Sequence, residues 1–95
     1  MAIYRLAPQA EADLYRIWLY GVRQWGMDAA DQYQRALHDR FDAIAASPLR
    51  YPAVDHIREG YRRSVLRGDS IYFRIDGDKV EVMAIMGQQN LDEWL

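Results

Sequence analysis

The chain has no cysteine among its 95 residues, which rules out a disulfide framework and any thiolate metal site. Long apolar runs are missing too. No stretch approaches the roughly 18 consecutive apolar residues of a membrane-spanning helix. The opening Met1–Leu6 lacks the apolar core and small-residue cleavage site of a signal peptide. A cytoplasmic location without membrane contact is therefore expected. Histidine is limited to His38 and His56, and neither belongs to a second-ligand spacing, so no metal is expected. A glycine-rich phosphate loop and a serine–histidine–acid arrangement are also absent, leaving no cofactor to infer. Three prolines and six glycines are too few for a low-complexity linker, and no repeat is visible. One domain over residues 1–95 with a thin core is the expectation. Lys79 is the single lysine. With 12 basic against 14 acidic residues the net charge is −2, which disfavours nonspecific coating of nucleic acid.

What the sequence does contain is a change of hydrophobic period. Residues 2–7 alternate weakly and suggest a short first strand. Ala10, Leu14, Ile17, Trp18 and Val22 then recur at helical spacing from Pro8, a residue suited to a first helical position, to about Trp25. Gly26 supplies a stop. Asp28 is placed to cap a second helix, with Asp31 adding charge near its positive end. That helix carries Ala30, Tyr33, Leu37, Phe41 and Ile44 as one apolar stripe and ends at Ser47-Pro48. About three joining residues imply an antiparallel helical hairpin.

A loop over 48–60 follows. After it come a strand over Arg62–Leu66, a turn at Arg67-Gly68-Asp69, and a strand in which Ile71, Phe73 and Ile75 oppose Tyr72 and Arg74. Asp76-Gly77-Asp78 forms a hairpin turn. Val80–Met86 is apolar at nearly every position, as a strand covered on both faces should be. Residues 88–95 suggest one short helix. The fold class expected is α+β, with a helical hairpin packed on a small antiparallel four-stranded sheet in the order β-α-α-β-β-β.

Two groups of residues are candidates for recognition. Arg58, Arg62, Arg63 and Arg67 lie in a stretch with few acids, and guanidinium forks suit carboxylate or phosphate; Tyr61 and Trp94 are possible aromatic neighbours. The same arginines would also serve as ordinary solvated strand and loop residues. Tyr15, Trp18, Leu19 and Val22 extend the apolar surface of the first helix beyond one face, and unburied apolar surface often marks a partner site. Packing beneath the sheet is the competing explanation for Trp18 and Trp25. Tyr33, Phe41 and Phe73 read as core, and Glu11, Asp13, Asp39 and Asp42 as solvated helix positions.

Trp25-Gly26, Ala30…Tyr33 with Leu37, Ser47-Pro48, Ile57-Arg58-Glu59-Gly60-Tyr61-Arg62, Ile71-Tyr72-Phe73-Arg74 and Ile85-Met86-Gly87-Gln88-Gln89 follow one another in an order that resembles the ParE branch of the ParE/RelE toxin superfamily. The resemblance runs along nearly the whole chain and implies the same hairpin-on-sheet fold. It also implies a growth-inhibiting toxin of a type II toxin–antitoxin pair, held by a ParD-like or other DNA-binding antitoxin and directed at DNA gyrase, with DNA contact only through the antitoxin complex. The RelE branch instead cleaves mRNA on the ribosome, which needs groups able to move protons. Here the segment after the last strand, Gly87–Leu95, has no Arg, Lys, His or Tyr, and Asp69-Ser70-Ile71 stands where a RelE-like arginine would be expected. Amides cannot transfer a proton near neutral pH. No catalytic residue is therefore assigned. Ribosome-dependent endonuclease and non-toxic co-regulator remain the alternatives. On this reading the arginine set with Tyr61 meets target or antitoxin, and Tyr15, Trp18, Leu19 and Val22 receive an antitoxin helix in the helix-in-groove mode.

Overall fold

The computed structural model describes residues 3–87. Its elements are β1 (Tyr4–Leu6), α1 (Pro8–Trp25), α2 (Met27–Ala46), a 3-10 turn (Pro48–Arg50), β2 (Tyr61–Leu66), β3 (Asp69–Asp76) and β4 (Lys79–Met86). The short helix expected over 88–95, and Trp94 with it, lie outside the described residues.

Pro8 starts α1 as anticipated, after Ala7 in extended geometry. Gly26 ends it at φ 94° and donates its N–H to the Val22 carbonyl at 3.0 Å. The same residue begins α2, so a single residue joins the helices rather than about three. Asp28 does not cap α2, because no side chain does; the Gly26 carbonyl accepts from Ala30 N–H at 3.1 Å instead. The hairpin closes tightly where Gly21 meets Ala30. A Cβ on Gly21 would sit 3.2 Å from Ala30 Cβ.

The sheet order is β1-β4-β3-β2. β2, β3 and β4 form the antiparallel meander read from the sequence. β1, however, runs parallel to β4, with Tyr4 opposite Val80 and Leu6 opposite Val82. The fold class holds, but the sheet is mixed rather than antiparallel throughout. The long excursion through both helices lets the first strand return alongside the last in the same direction.

β4 is interior and buried on both faces. Towards the helices Val80, Val82 and Ile85 join Leu14, Ile17, Leu37, Phe41, Ile44, Ile71 and Phe73 in the main core. On the far face Tyr72, Ala84 and Met86 pack with Val54, flanked by Ile57 and Tyr61, as a smaller core under the loop. A register shift at Tyr72/Phe73 pairs Tyr72 with Ala84 but Phe73 with Val82. This bulge lets Ile85 turn towards the helices. Ile75, expected beside Ile71 and Phe73, is 41% exposed next to the β3–β4 turn.

Asp13, read as solvated, is buried. β1 stops at Leu6, so among the described residues the β4 edge at Ile85 has no strand beside it. α1 supplies the partners. Asp13 Oδ2 accepts from Ile85 N–H and Arg16 Nη2 donates to the Ile85 carbonyl, each at 2.9 Å. Two side chains one turn apart thus satisfy backbone groups that a longer β1 would have paired.

Candidate functional site

The helical hairpin ends in a cleft. The last turns of α1, the first turns of α2, the β2–β3 turn and Gly87 enclose about 600 Å³. Gly21, Ala29 and Ala30 keep its floor small and apolar, and Ile17 adds to it. Tyr20 and Trp25 stand at the mouth, 56% and 69% exposed, edge to face with centroids 5.6 Å apart. Neither is needed to close the core. Large aromatics left open beside arginine match the composition of binding hot spots.

The opposite wall is built by Tyr33, Arg67 and Asp69. The Tyr33 hydroxyl lies 2.7 Å from Asp69 Oδ2 and 3.1 Å from the Leu66 carbonyl, donating to both acceptors in a shared geometry. Burial, and then the bonded Asp69 carboxylate, push the phenol pKa far above its usual value of 10.0, so the proton stays on oxygen. Arg67 holds its guanidinium carbon 4.9 Å above the centre of the Tyr33 ring, within cation–π range. It makes no ion pair among the described residues. Its φ is +54°, the one positive value outside glycine there. A long side chain in that region carries strain that ordinarily goes to glycine, and Gly68 is the next residue. Arg16 also lines the cleft, but its guanidinium serves Ile85 and approaches Asp13 at 3.5 Å.

The arginines singled out in the sequence do not form one patch. Arg67 reaches the cleft. Arg62 is half-buried and donates to the Tyr51 carbonyl at 2.6 Å, which fastens the loop to β2. Arg63 stands opposite Tyr72 and shares the far face of the sheet with Tyr61, which packs on the smaller core. Arg58 is exposed in the loop. Arg74, from the same stretch, is committed to Glu81 at 2.6 Å.

The apolar set behaves differently. Tyr15, Trp18, Leu19 and Val22 do share one side of α1. Tyr15 is 64% exposed and stacks on Trp18 at 6.4 Å. Trp18 is half-buried with its indole N–H on Asp31 at 2.9 Å, while Leu19 and Val22 are half-buried. Asp31 is therefore a tie across the hairpin as well as a charge near the start of α2. Arg16, Tyr20 and Tyr33 were not among the expected site residues. The signal available was Arg67-Gly68-Asp69, a turn whose neighbours could not be read from spacing.

Chemically, the cleft can hold. Guanidinium groups remain charged at any physiological pH, and Tyr33 keeps its proton. No histidine or cysteine is among the described lining residues. Among the described residues no group of histidines and carboxylates could bind a metal ion, and no helix is long and apolar enough to cross a membrane.

By architecture the molecule is an α+β domain with a two-helix hairpin on a four-stranded mixed sheet. A chain from the solved "Chromosomal ParDE TA system from P. aeruginosa" shares this fold with a TM-score of 0.80, at 19% identity, over 92% of this chain and 96% of that one. Sequence comparison takes the second step. Residues 4–91 match the family described as "ParE toxin of type II toxin-antitoxin system, parDE". "Toxin ParE1" of Mycobacterium tuberculosis (strain H37Rv) is 36% identical over 87 residues, spanning 90% of this chain and 89% of that protein. "Toxin ParE1" of Caulobacter vibrioides (strain CB 15) is 34% identical over 88 residues, spanning 93% and 91%. The chain belongs to the ParE toxin family of type II toxin–antitoxin systems.

Proposed function

We propose that this chain inhibits growth by acting on DNA gyrase in the cytoplasm, without catalysing a reaction itself, and is neutralised by a cognate DNA-binding antitoxin of ParD type. Family membership over residues 4–91 carries this reading. The cleft chemistry supports its non-enzymatic part. A ribonuclease that activates a 2′-hydroxyl needs a group that exchanges protons near neutral pH, whereas Tyr33 is held protonated and Asp69 is already bonded to it. The arginines and aromatics of the hairpin end suit a protein partner better than bulk nucleic acid on a chain of net charge −2. Contact with DNA then comes through the antitoxin complex.

Purified toxin added to gyrase and relaxed plasmid should block supercoiling and trap cleaved complexes, read as linear DNA after detergent and protease. Equimolar antitoxin should restore supercoiling. Codon-specific mRNA cleavage in a reconstituted translation reaction, with gyrase unaffected, would sink the proposal in favour of the RelE-type activity.

A further inference from the structure

The cleft contains a carboxylate beside a guanidinium, and the two are kept apart. Asp69 and Arg67 flank the same β2–β3 turn, yet no ion pair joins them among the described residues. Asp69 Oδ2 instead accepts from the Tyr33 hydroxyl at 2.7 Å, while Arg67 holds its guanidinium carbon over the Tyr33 ring, 4.9 Å from its centre. One tyrosine thus engages both groups, its oxygen taking the acid and its face taking the cation. Arg67 reaches this position through a left-handed backbone that Gly68, one residue on, would adopt more easily. A guanidinium that is exposed, desolvated on one side by an aromatic ring and without a carboxylate partner among the described residues is an open receptor for a planar anion.

We infer that Tyr33 is a positioning residue that sequesters Asp69, leaving Arg67 free to take a carboxylate from an acidic segment of the antitoxin, with an adjacent bulky apolar side chain seated on Gly21, Ala29 and Ala30. This rests on the antitoxin reading above. Charge complementarity selects the occupant: an exposed guanidinium with no ion pair among the described residues calls for an acid, while the small-residue floor and the Tyr20–Trp25 rim call for an apolar neighbour. Without the Tyr33 hydroxyl, Asp69 would turn to Arg67 and occupy it from within the chain.

The test uses the full toxin and the purified product of the reading frame beside its gene, with binding measured by calorimetry at several salt concentrations. Arg67→Gly should weaken binding about tenfold to hundredfold, as expected for loss of a charge-assisted pair, and should flatten its salt dependence. Its Tm should stay level or rise, because glycine relieves the positive φ. Tyr33→Phe keeps the ring but frees Asp69, and should weaken binding about tenfold. Adding Asp69→Asn to Tyr33→Phe should recover most of that loss, an outcome that a merely structural tyrosine would not give. Unchanged affinity in Arg67→Gly, or no recovery in the double variant, overturns the inference while leaving the antitoxin reading intact. No binding by the wild-type toxin overturns that reading and this one together. If a single-stranded oligonucleotide quenches toxin tryptophan fluorescence in a manner lost with Arg67→Gly, the anion is a phosphate and the carboxylate assignment fails.

Discussion

Asp13 shows how one residue can replace a missing piece of chain. A carboxylate with polar neighbours at 9 and 16 looks solvated by its chemistry, although its spacing, three residues after Ala10 and four before Ile17, puts it on the apolar stripe. Its burial follows from the length of β1, which stops three residues after it starts and leaves Ile85 N–H facing α1. The carboxylate accepts from that N–H and from Gln9 Nε2, both at 2.9 Å. Asp13→Ala removes the acceptor from a buried donor and is expected to cost about 1–3 kcal/mol. Asp13→Asn keeps an oxygen in place and should cost less. Urea denaturation of the two variants checks the order; an alanine variant as stable as wild type would mean that water reaches Ile85. Tyr33 was legible in part. Its place in the stripe with Leu37 and Phe41 was clear from helical spacing, but its hydroxyl partners come from a turn more than thirty residues away, and periodicity carries no information about that meeting.

Elements were more legible than residues wherever a local rule fixed them. Pro8, Gly26 and Ser47-Pro48 bound the helices because each acts on the backbone beside it, and the Asp76-Gly77-Asp78 turn fixes the β3–β4 hairpin for the same reason. The parallel partnership of β1 with β4 was not legible, since three residues carry too little pattern to choose a neighbour across the chain. That pairing has an electrostatic consequence on the far sheet face. Register sets Glu81 opposite Arg5 on β1 and Arg74 on β3. The carboxylate bonds Arg74 Nη2 at 2.6 Å and Arg5 Nε at 3.2 Å, and Arg5 continues to Asp76 at 2.8 Å. The Arg74 bond first, then the Arg5 bond, hold the Glu81 pKa below its ordinary 4.5. A carboxylate with a depressed folded pKa stabilises above its unfolded value, and that stabilisation is lost as pH falls through the folded one. Melting temperature should therefore drop more steeply below about pH 4.5 in wild type than in Glu81→Gln. The gap should narrow in high salt because these side chains are near the surface. Parallel melting curves for the two proteins across that range would show that the three strands do not depend on the charged bridge.

For the whole molecule, the question is whether its arginines add up to a field or act one at a time. Basic residues number 12 and acidic residues 14, and the structure assigns five of the former to internal work. Arg5 and Arg74 share Glu81. Arg16 serves the Ile85 carbonyl, and Arg62 serves the Tyr51 carbonyl. Arg40 covers the outer edge of β2 through Ser64 Oγ and the Val65 carbonyl, beside the loop whose Pro52 and Val54 occupy the backbone groups of Arg63 and Tyr61. With five of its cations held by its own carbonyls, Ser64 or Glu81 and its acids in net excess, the chain has no concentrated positive field to displace counterions from a duplex, and nonspecific affinity for DNA scales with the number of phosphates neutralised. The isolated toxin should accordingly fail to retard duplex DNA at micromolar concentration and physiological salt, whereas its complex with a DNA-binding antitoxin should do so. A mobility-shift series with toxin alone, antitoxin alone and both together separates the cases. Retardation by toxin alone, falling steeply as salt is raised, would mean that the scattered guanidinium groups act together after all, and direct contact between this toxin and DNA would then have to be restored to the account of how it acts.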